Sequence, residues 1–103
     1  MPSTFQQNLK RFADLGLDVA ITELNIRYLL PGSADKIAKQ AQDYSKSVSV
    51  CMSMDRCVGV TVWGYTDKYS FVEDAKSGYG EQELWTADFK PKPAVDAVDK
   101  VLK

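Results

Sequence analysis

Two side chains in this sequence have the types and settings to do chemistry together. The run Asp18-Val19-Ala20-Ile21-Thr22-Glu23-Leu24-Asn25 is a short apolar segment of β type that brings one carboxylate, Glu23, to its carboxyl end. Parallel α/β barrels keep their reactive groups at that end of a strand. A second segment of the same kind, Cys57-Val58-Gly59-Val60-Thr61-Val62-Trp63-Gly64, ends in a tryptophan instead of an acid. A carboxylate can serve as acid, base or nucleophile, and an indole offers a flat apolar face to a sugar ring. Set at the ends of neighbouring strands, the two are the floor and wall of a sugar-binding cleft.

The composition narrows the chemistry further. Thirteen basic against fourteen acidic side chains leave a formal net charge of -1, which lacks the electrostatic footprint of a nucleic-acid binder. Lys90 and Lys92, the densest basic spot, stand among prolines and read as a solvated approach to a helix. The sequence contains no histidine, so histidine-dependent triads and histidine metal sites are excluded within it. Catalysis here must rest on carboxylates, tyrosines or lysines. No stretch is long and apolar enough for a membrane span, and no signal-like or glycine-rich phosphate-binding segment is visible. Gly78-Tyr79-Gly80 lacks the strand-then-helix setting such a loop requires. No cofactor or metal site is expected.

Cys51 and Cys57 flank Met52-Ser53-Met54-Asp55-Arg56, where a helical pattern gives way to a strand pattern. They read either as a bridge across a tight turn or as two buried thiols. A bridge would stabilise by roughly 2 kcal/mol on the chain-entropy view and imply an oxidising compartment.

The elements that must position these groups follow from periodicity and punctuation. Ser3-Thr4-Phe5-Gln6 has capping-box spacing, and Phe5, Leu9, Phe12 and Leu15 recur at helical intervals until Gly16 stops the helix. The near-continuous apolar run from Asp18 to Leu24 predicts a strand covered on both faces. Arg27-Tyr28-Leu29-Leu30-Pro31-Gly32 reads as a loop. Ser33 then caps a helix reaching roughly to Met52, with a stripe of Ile37, Ala41, Tyr44, Val48 and Cys51. A second strand runs from Val58 to Trp63. The long polar stretch from Tyr65 to Phe89 reads as one loop, and loops of that length in compact domains are usually functional. Pro93 suits the first turn of a final helix whose apolar face is Val95, Val98, Val101 and Leu102.

With 103 residues, 45% of them hydrophobic, the chain has the size and content of one packed domain. Two parallel strands nevertheless have two bare edges, and three helices cover them poorly. The arrangement reads as a piece of a larger barrel.

Val19-Ala20-Ile21-Thr22-Glu23-Leu24-Asn25, and Cys57 through Trp63-Gly64-Tyr65-Thr66-Asp67-Lys68-Tyr69-Ser70-Phe71, resemble the last two strands of glycoside hydrolase family 10, the endo-β-1,4-xylanases. Phe89-Lys90-Pro91-Lys92-Pro93-Ala94 resembles that family's approach to its eighth helix. The resemblance implies an α/β fold: residues 1–103 as the C-terminal portion of a TIM (β/α)8 barrel. The chain would hold helix six, strand seven, helix seven, strand eight, a long loop and helix eight. Another chain, or a missing segment of a longer parent, would complete it, since such barrels run to about 250 residues.

The resemblance further implies retaining hydrolysis of xylan or xylo-oligosaccharide by double displacement, with Glu23 as nucleophile. Trp63 matches the indole that stacks on the xylose beside the scissile bond. Phe71, Tyr65 and Arg27 are the further candidate substrate contacts, with Tyr28 and Tyr69 beside them. Cys51 and Cys57 match a pair often disulfide-bonded in the family, whose parent enzyme would be secreted. Asn25 stands where the family usually has an aspartate, so it would hydrogen-bond beside the nucleophile without charge. Phe71 replaces a tryptophan, keeping an apolar ring and losing the indole N–H. The partner acid/base glutamate belongs to the family's fourth strand, so a complementary N-terminal barrel segment is the expected partner. Glu73, Asp74, Glu81 and Glu83 read as solvated loop charges unable to replace it. Tyr79 and Trp85 read either as cleft rim or as pins for the loop. The competing function is a non-catalytic carbohydrate-binding or structural module that uses Trp63 and the nearby aromatics as a platform.

Overall fold

The computed structural model describes residues 4–69 and 78–103. Helix α1 (Thr4–Asp14) leads through a turn at Gly16 into strand β1 (Val19–Leu24). A short strand β2 (Tyr28–Leu29) precedes helix α2 (Ala34–Met52), which returns the chain to strand β3 (Cys57–Val62). A 3-10 turn (Asp67–Tyr69), a short strand β4 (Tyr79–Gly80) and helix α3 (Pro93–Leu102) complete the order.

β1 and β3 run parallel, pairing Val19 with Cys57, Ala20 with Gly59, Ile21 with Val60 and Leu24 with Val62. The register shifts between Ile21 and Leu24, close to the end that carries Glu23. Parallel neighbours need a long crossover, and α2 provides it. Ser33 caps that helix as its position predicts, its hydroxyl accepting from the Lys36 amide at 3.2 Å. One stripe of α2, carrying Gln40, Ala41, Tyr44, Ser47, Val48 and Cys51, is buried at helical spacing. α3 begins on Pro93, whose missing N–H costs nothing in a first turn. Ala41, Tyr44 and Ala94 form the core, with Leu24, Ile26, Val62, Leu84, Ala97 and Val98 packed against it. The core thus lies between the α2–α3 layer and one face of the two-stranded sheet.

The other face is open, which differs from the expectation of strands covered on both sides. Burial alternates along β1, with Ala20, Thr22 and Glu23 exposed and Val19 and Ile21 partly covered. Val58 on β3 is exposed as well, and α1 buries no residue at all. An apolar run specifies a strand meant for burial, yet only one helical layer is present here to bury it.

The stretch between Tyr65 and Phe89 is also more ordered than a single loop where it is described. β2 pairs with β4 antiparallel, joining Tyr28 to Gly80 and Leu29 to Tyr79. Isolated bridges link Trp85 to Thr66 and to Pro91. The Arg27–Gly32 segment is therefore partly a strand, because the returning chain at Tyr79 supplies its partner. Too few residues separate the breakers Pro31 and Gly32 from β1 for a strand to be visible from periodicity alone. Cys51 and Cys57 form a disulfide that ties the end of α2 to the start of β3.

Candidate active site

Glu23 stands next to last in β1, and Trp63 directly follows the last residue of β3. Their strands are joined at this end, since the Trp63 amide donates to the Leu24 carbonyl at 3.0 Å. Both side chains are exposed, Trp63 by 49%. The carboxylate and the indole are thus brought to the same end of the parallel pair by one backbone hydrogen bond. Gly64 follows with φ of +91°, a left-handed conformation that only glycine adopts readily, and it turns the chain away from the strand end.

The other expected contacts separate into groups. Asn25 is half-buried beside Glu23. The Arg27 guanidinium lies 4.6 Å from the centre of the Tyr79 ring, which occupies it with a cation–π contact. Tyr28 is buried and its hydroxyl donates to the Glu81 carboxylate, so its role is internal. Tyr65 stacks on Trp85 at 4.9 Å between ring centroids and also approaches Phe89, while staying 55% exposed. Trp85 pins the loop through that stack and its two bridges, and Tyr79 belongs to β4. Phe71, Glu73 and Asp74 lie outside the described residues, as does the Tyr69 side chain. Among the described residues no group of three or more acids, cysteines or histidines is suited to hold a metal.

Behind the strand ends lies a polar cluster that the sequence reading missed. Lys92 is only 6% exposed, and its ammonium meets the Asp67 carboxylate at 2.7 Å and the Glu81 carbonyl at 2.7 Å. Lys92 is therefore a buried clamp between the 3-10 turn and α3, not a solvated lysine. The other Asp67 oxygen accepts from the Glu83 amide at 3.0 Å. Gln40 donates to the carbonyls of Ile26 and Glu81, each at 2.7 Å, and Tyr44 donates to the Gln82 carbonyl. These bonds satisfy a returning segment that has little sheet to pair with.

Glu83 overturns its reading as solvated charge most sharply. Its side chain is 1% exposed, and neither carboxyl oxygen has a hydrogen-bond partner among the described residues. Burial pushes its pKa up to about 7, the Asp67 carboxylate adds to the rise, and Lys92 opposes it. Burial, reinforced by Glu83, also raises the Tyr44 hydroxyl well above its usual range. Glu81 is half-buried rather than free, with its backbone at φ of +51°. Gln40 was legible in principle, since it adjoins Ala41 on the α2 stripe and precedes Tyr44 by one helical turn. Nothing local marks Glu83 as buried, because the contacts that cover it come from α2, the 3-10 turn and the chain before α3.

A parallel strand pair, joined by a crossover helix and carrying an acid and an indole at its carboxyl end, belongs to the class of α/β barrels with their chemistry at that end. Residues 1–101 match the family described as Glycosyl hydrolase family 10, and the chain belongs to that family. It is 45% identical over 98 residues to an endo-1,4-beta-xylanase of Agaricus bisporus, covering 95% of this chain and 29% of that protein. The fold matches the crystal structure of a glycosylated endo-beta-1,4-xylanase from Gloeophyllum trabeum with a TM-score of 0.92 and 39% identity, over 99% of this chain and 32% of that one. Xylanase 10B from Thermotoga petrophila RKU-1, solved in complex with xylobiose, matches with a TM-score of 0.87 and 40% identity, over 95% and 30% of the two chains. The fold is accordingly an α/β portion of that barrel, and the chain spans less than a third of each of these relatives.

Proposed function

We propose that this chain supplies the nucleophile side of a retaining endo-1,4-β-xylanase site. The observation that carries the reading is the juxtaposition of Glu23 and Trp63 at one end of two paired parallel strands, held by the Trp63–Leu24 hydrogen bond. Family membership and relatives named as endo-1,4-beta-xylanases support it. The substrate is xylan or a xylo-oligosaccharide.

In the first displacement the Glu23 carboxylate attacks the anomeric carbon of the bound xylose. The bond from that carbon to the leaving oxygen breaks while a proton arrives on the oxygen from a general acid opposite. An ester joins sugar and Glu23. In the second displacement the same opposite group, now a base, takes a proton from water, which attacks the anomeric carbon and releases Glu23. Retention requires two carboxyl groups about 5 to 5.5 Å apart, and the second belongs to a complementary N-terminal barrel segment. Trp63 stacks on the sugar beside the scissile bond and fixes the attacked face toward Glu23. Asn25 can hydrogen-bond beside the nucleophile without adding charge, and Tyr65, Arg27 and Phe71 contact sugars further along the substrate. The Cys51–Cys57 disulfide accords with a secreted parent enzyme. No helix among the described residues is long and apolar enough to cross a membrane.

The test is covalent trapping in the barrel assembled with its complementary segment. A 2-fluoro xylobioside that stalls the second displacement should leave its sugar ester on Glu23, located by peptide mass spectrometry. An ester on any other carboxylate removes the assignment. Binding of xylo-oligosaccharide by the assembled barrel with no cleavage would favour the non-catalytic module.

A further inference from the structure

Glu83 is a fully buried acid with no part in the double displacement, and its position relative to Trp63 gives it one. A Cβ placed on Gly64 would lie 2.5 Å from Glu83 Oε1, 2.7 Å from its Cδ and 2.8 Å from Oε2. The carboxyl group therefore fills the space where residue 64 would carry a side chain. Gly64 is bonded to Trp63, and the Trp63 amide is held by the carbonyl of Leu24, the neighbour of Glu23. The Glu83 carboxyl group is thus one peptide away from Trp63, whose amide is bonded to the strand that carries Glu23. On its far side Glu83 is fixed by its own amide, which donates to Asp67.

The charges around this wedge are unequal. Asp67 faces it from the 3-10 turn, Lys92 from the approach to α3 and Tyr44 from α2. The ammonium of Lys92 is in direct contact with Asp67 at 2.7 Å, so among the described residues it only partly offsets a second carboxylate at Glu83. An ionised Glu83 would have two unsatisfied oxygens beside Asp67, and a buried unpaired charge is strongly disfavoured. Relief by movement of the carboxyl group would disturb the Trp63–Gly64 turn, which is exposed and whose glycine the carboxyl group packs against.

We propose that Glu83 is a positioning residue for Trp63: as the neutral acid it props the Trp63–Gly64 turn at the strand end, and its ionisation displaces the indole from the sugar. The inference rests on the proposed role of Trp63 in binding the substrate. Alkaline loss of activity would then enter through KM more than through kcat, because stacking is lost before the chemistry is touched.

Two measurements test it. In the assembled barrel, KM for xylo-oligosaccharide should rise about tenfold between about pH 6 and about pH 8 in the natural sequence and stay level in Glu83→Gln, which keeps the shape without the charge. In the assembled barrel with 15N-indole tryptophan carried only by this chain, the Trp63 signal, assigned by Trp85→Phe, should titrate near neutrality in the natural sequence and lose that step in Glu83→Gln. A KM limb or an indole step that persists unchanged in Glu83→Gln overturns the proposal, as does an indole signal that never moves in the natural sequence. The indole measurement needs no hydrolysis, so an assembled barrel that fails to cut xylan would refute the xylanase reading without being mistaken for failure of this one.

Discussion

Glu23 is exposed at a strand end, the setting in which we propose that it attacks the sugar. Replacing it by Gln removes the proposed nucleophile and retains the shape. In the assembled enzyme kcat should fall by at least about 10³-fold while substrate binding persists, as a steady-state comparison with the natural sequence will read. A fall of less than tenfold would mean another group attacks. Glu83 makes a different prediction, about stability. Its pKa is raised from the ordinary 4.5 to about 7 in the fold, so between those values the folded chain keeps a proton that the unfolded chain releases. The stability that Glu83 contributes is therefore full at acid pH, falls as pH rises from about 4.5 to about 7, and is gone above that. The change amounts to about 3 kcal/mol, and Glu83→Gln should abolish it in urea denaturation at either end of the range. A pH dependence of equal size in the variant would show that another group titrates.

Elements are joined here by two devices. The disulfide closes only the turn between α2 and β3, so its removal by Cys51→Ala with Cys57→Ala should cost roughly 2 kcal/mol, read as a lower denaturant midpoint. No change in midpoint would mean that packing alone holds this junction. The Asp67–Lys92 pair joins the 3-10 turn to the start of α3 across the whole intervening loop. Because both partners are buried, Lys92→Ala leaves Asp67 and Glu83 sharing a site without a cation. The expected loss is about 3 to 5 kcal/mol, well above that of an exposed pair such as Lys10–Asp14. Equal, small losses from Lys92→Ala and Lys10→Ala would show that the buried clamp contributes nothing special.

At the scale of the whole molecule several large apolar side chains are left uncovered in a chain that forms only part of a barrel. Phe12, Leu15 and Leu17 around the end of α1 are exposed, Leu15 by 75%, and Val58 lies open on β3. Two parallel strands also keep unpaired outer edges. This chain alone should self-associate at micromolar concentration, and a complementary barrel segment should convert it to a single discrete complex on size-exclusion chromatography. A monodisperse monomer unaffected by that segment would contradict the proposed partnership.

What the residues determined by themselves is local. Helical spacing, the Ser33 cap and Pro93 placed the three helices, and two apolar runs placed β1 and β3 with Glu23 and Trp63 at their ends, because periodicity and capping act between near neighbours in the chain. Only the tertiary structure decided that β2 pairs with β4, that one sheet face is bare, and that Lys92 and Glu83 are buried. Whether a charge lies in water or in a core depends on what packs over it from distant segments, and no spacing along the chain encodes that covering.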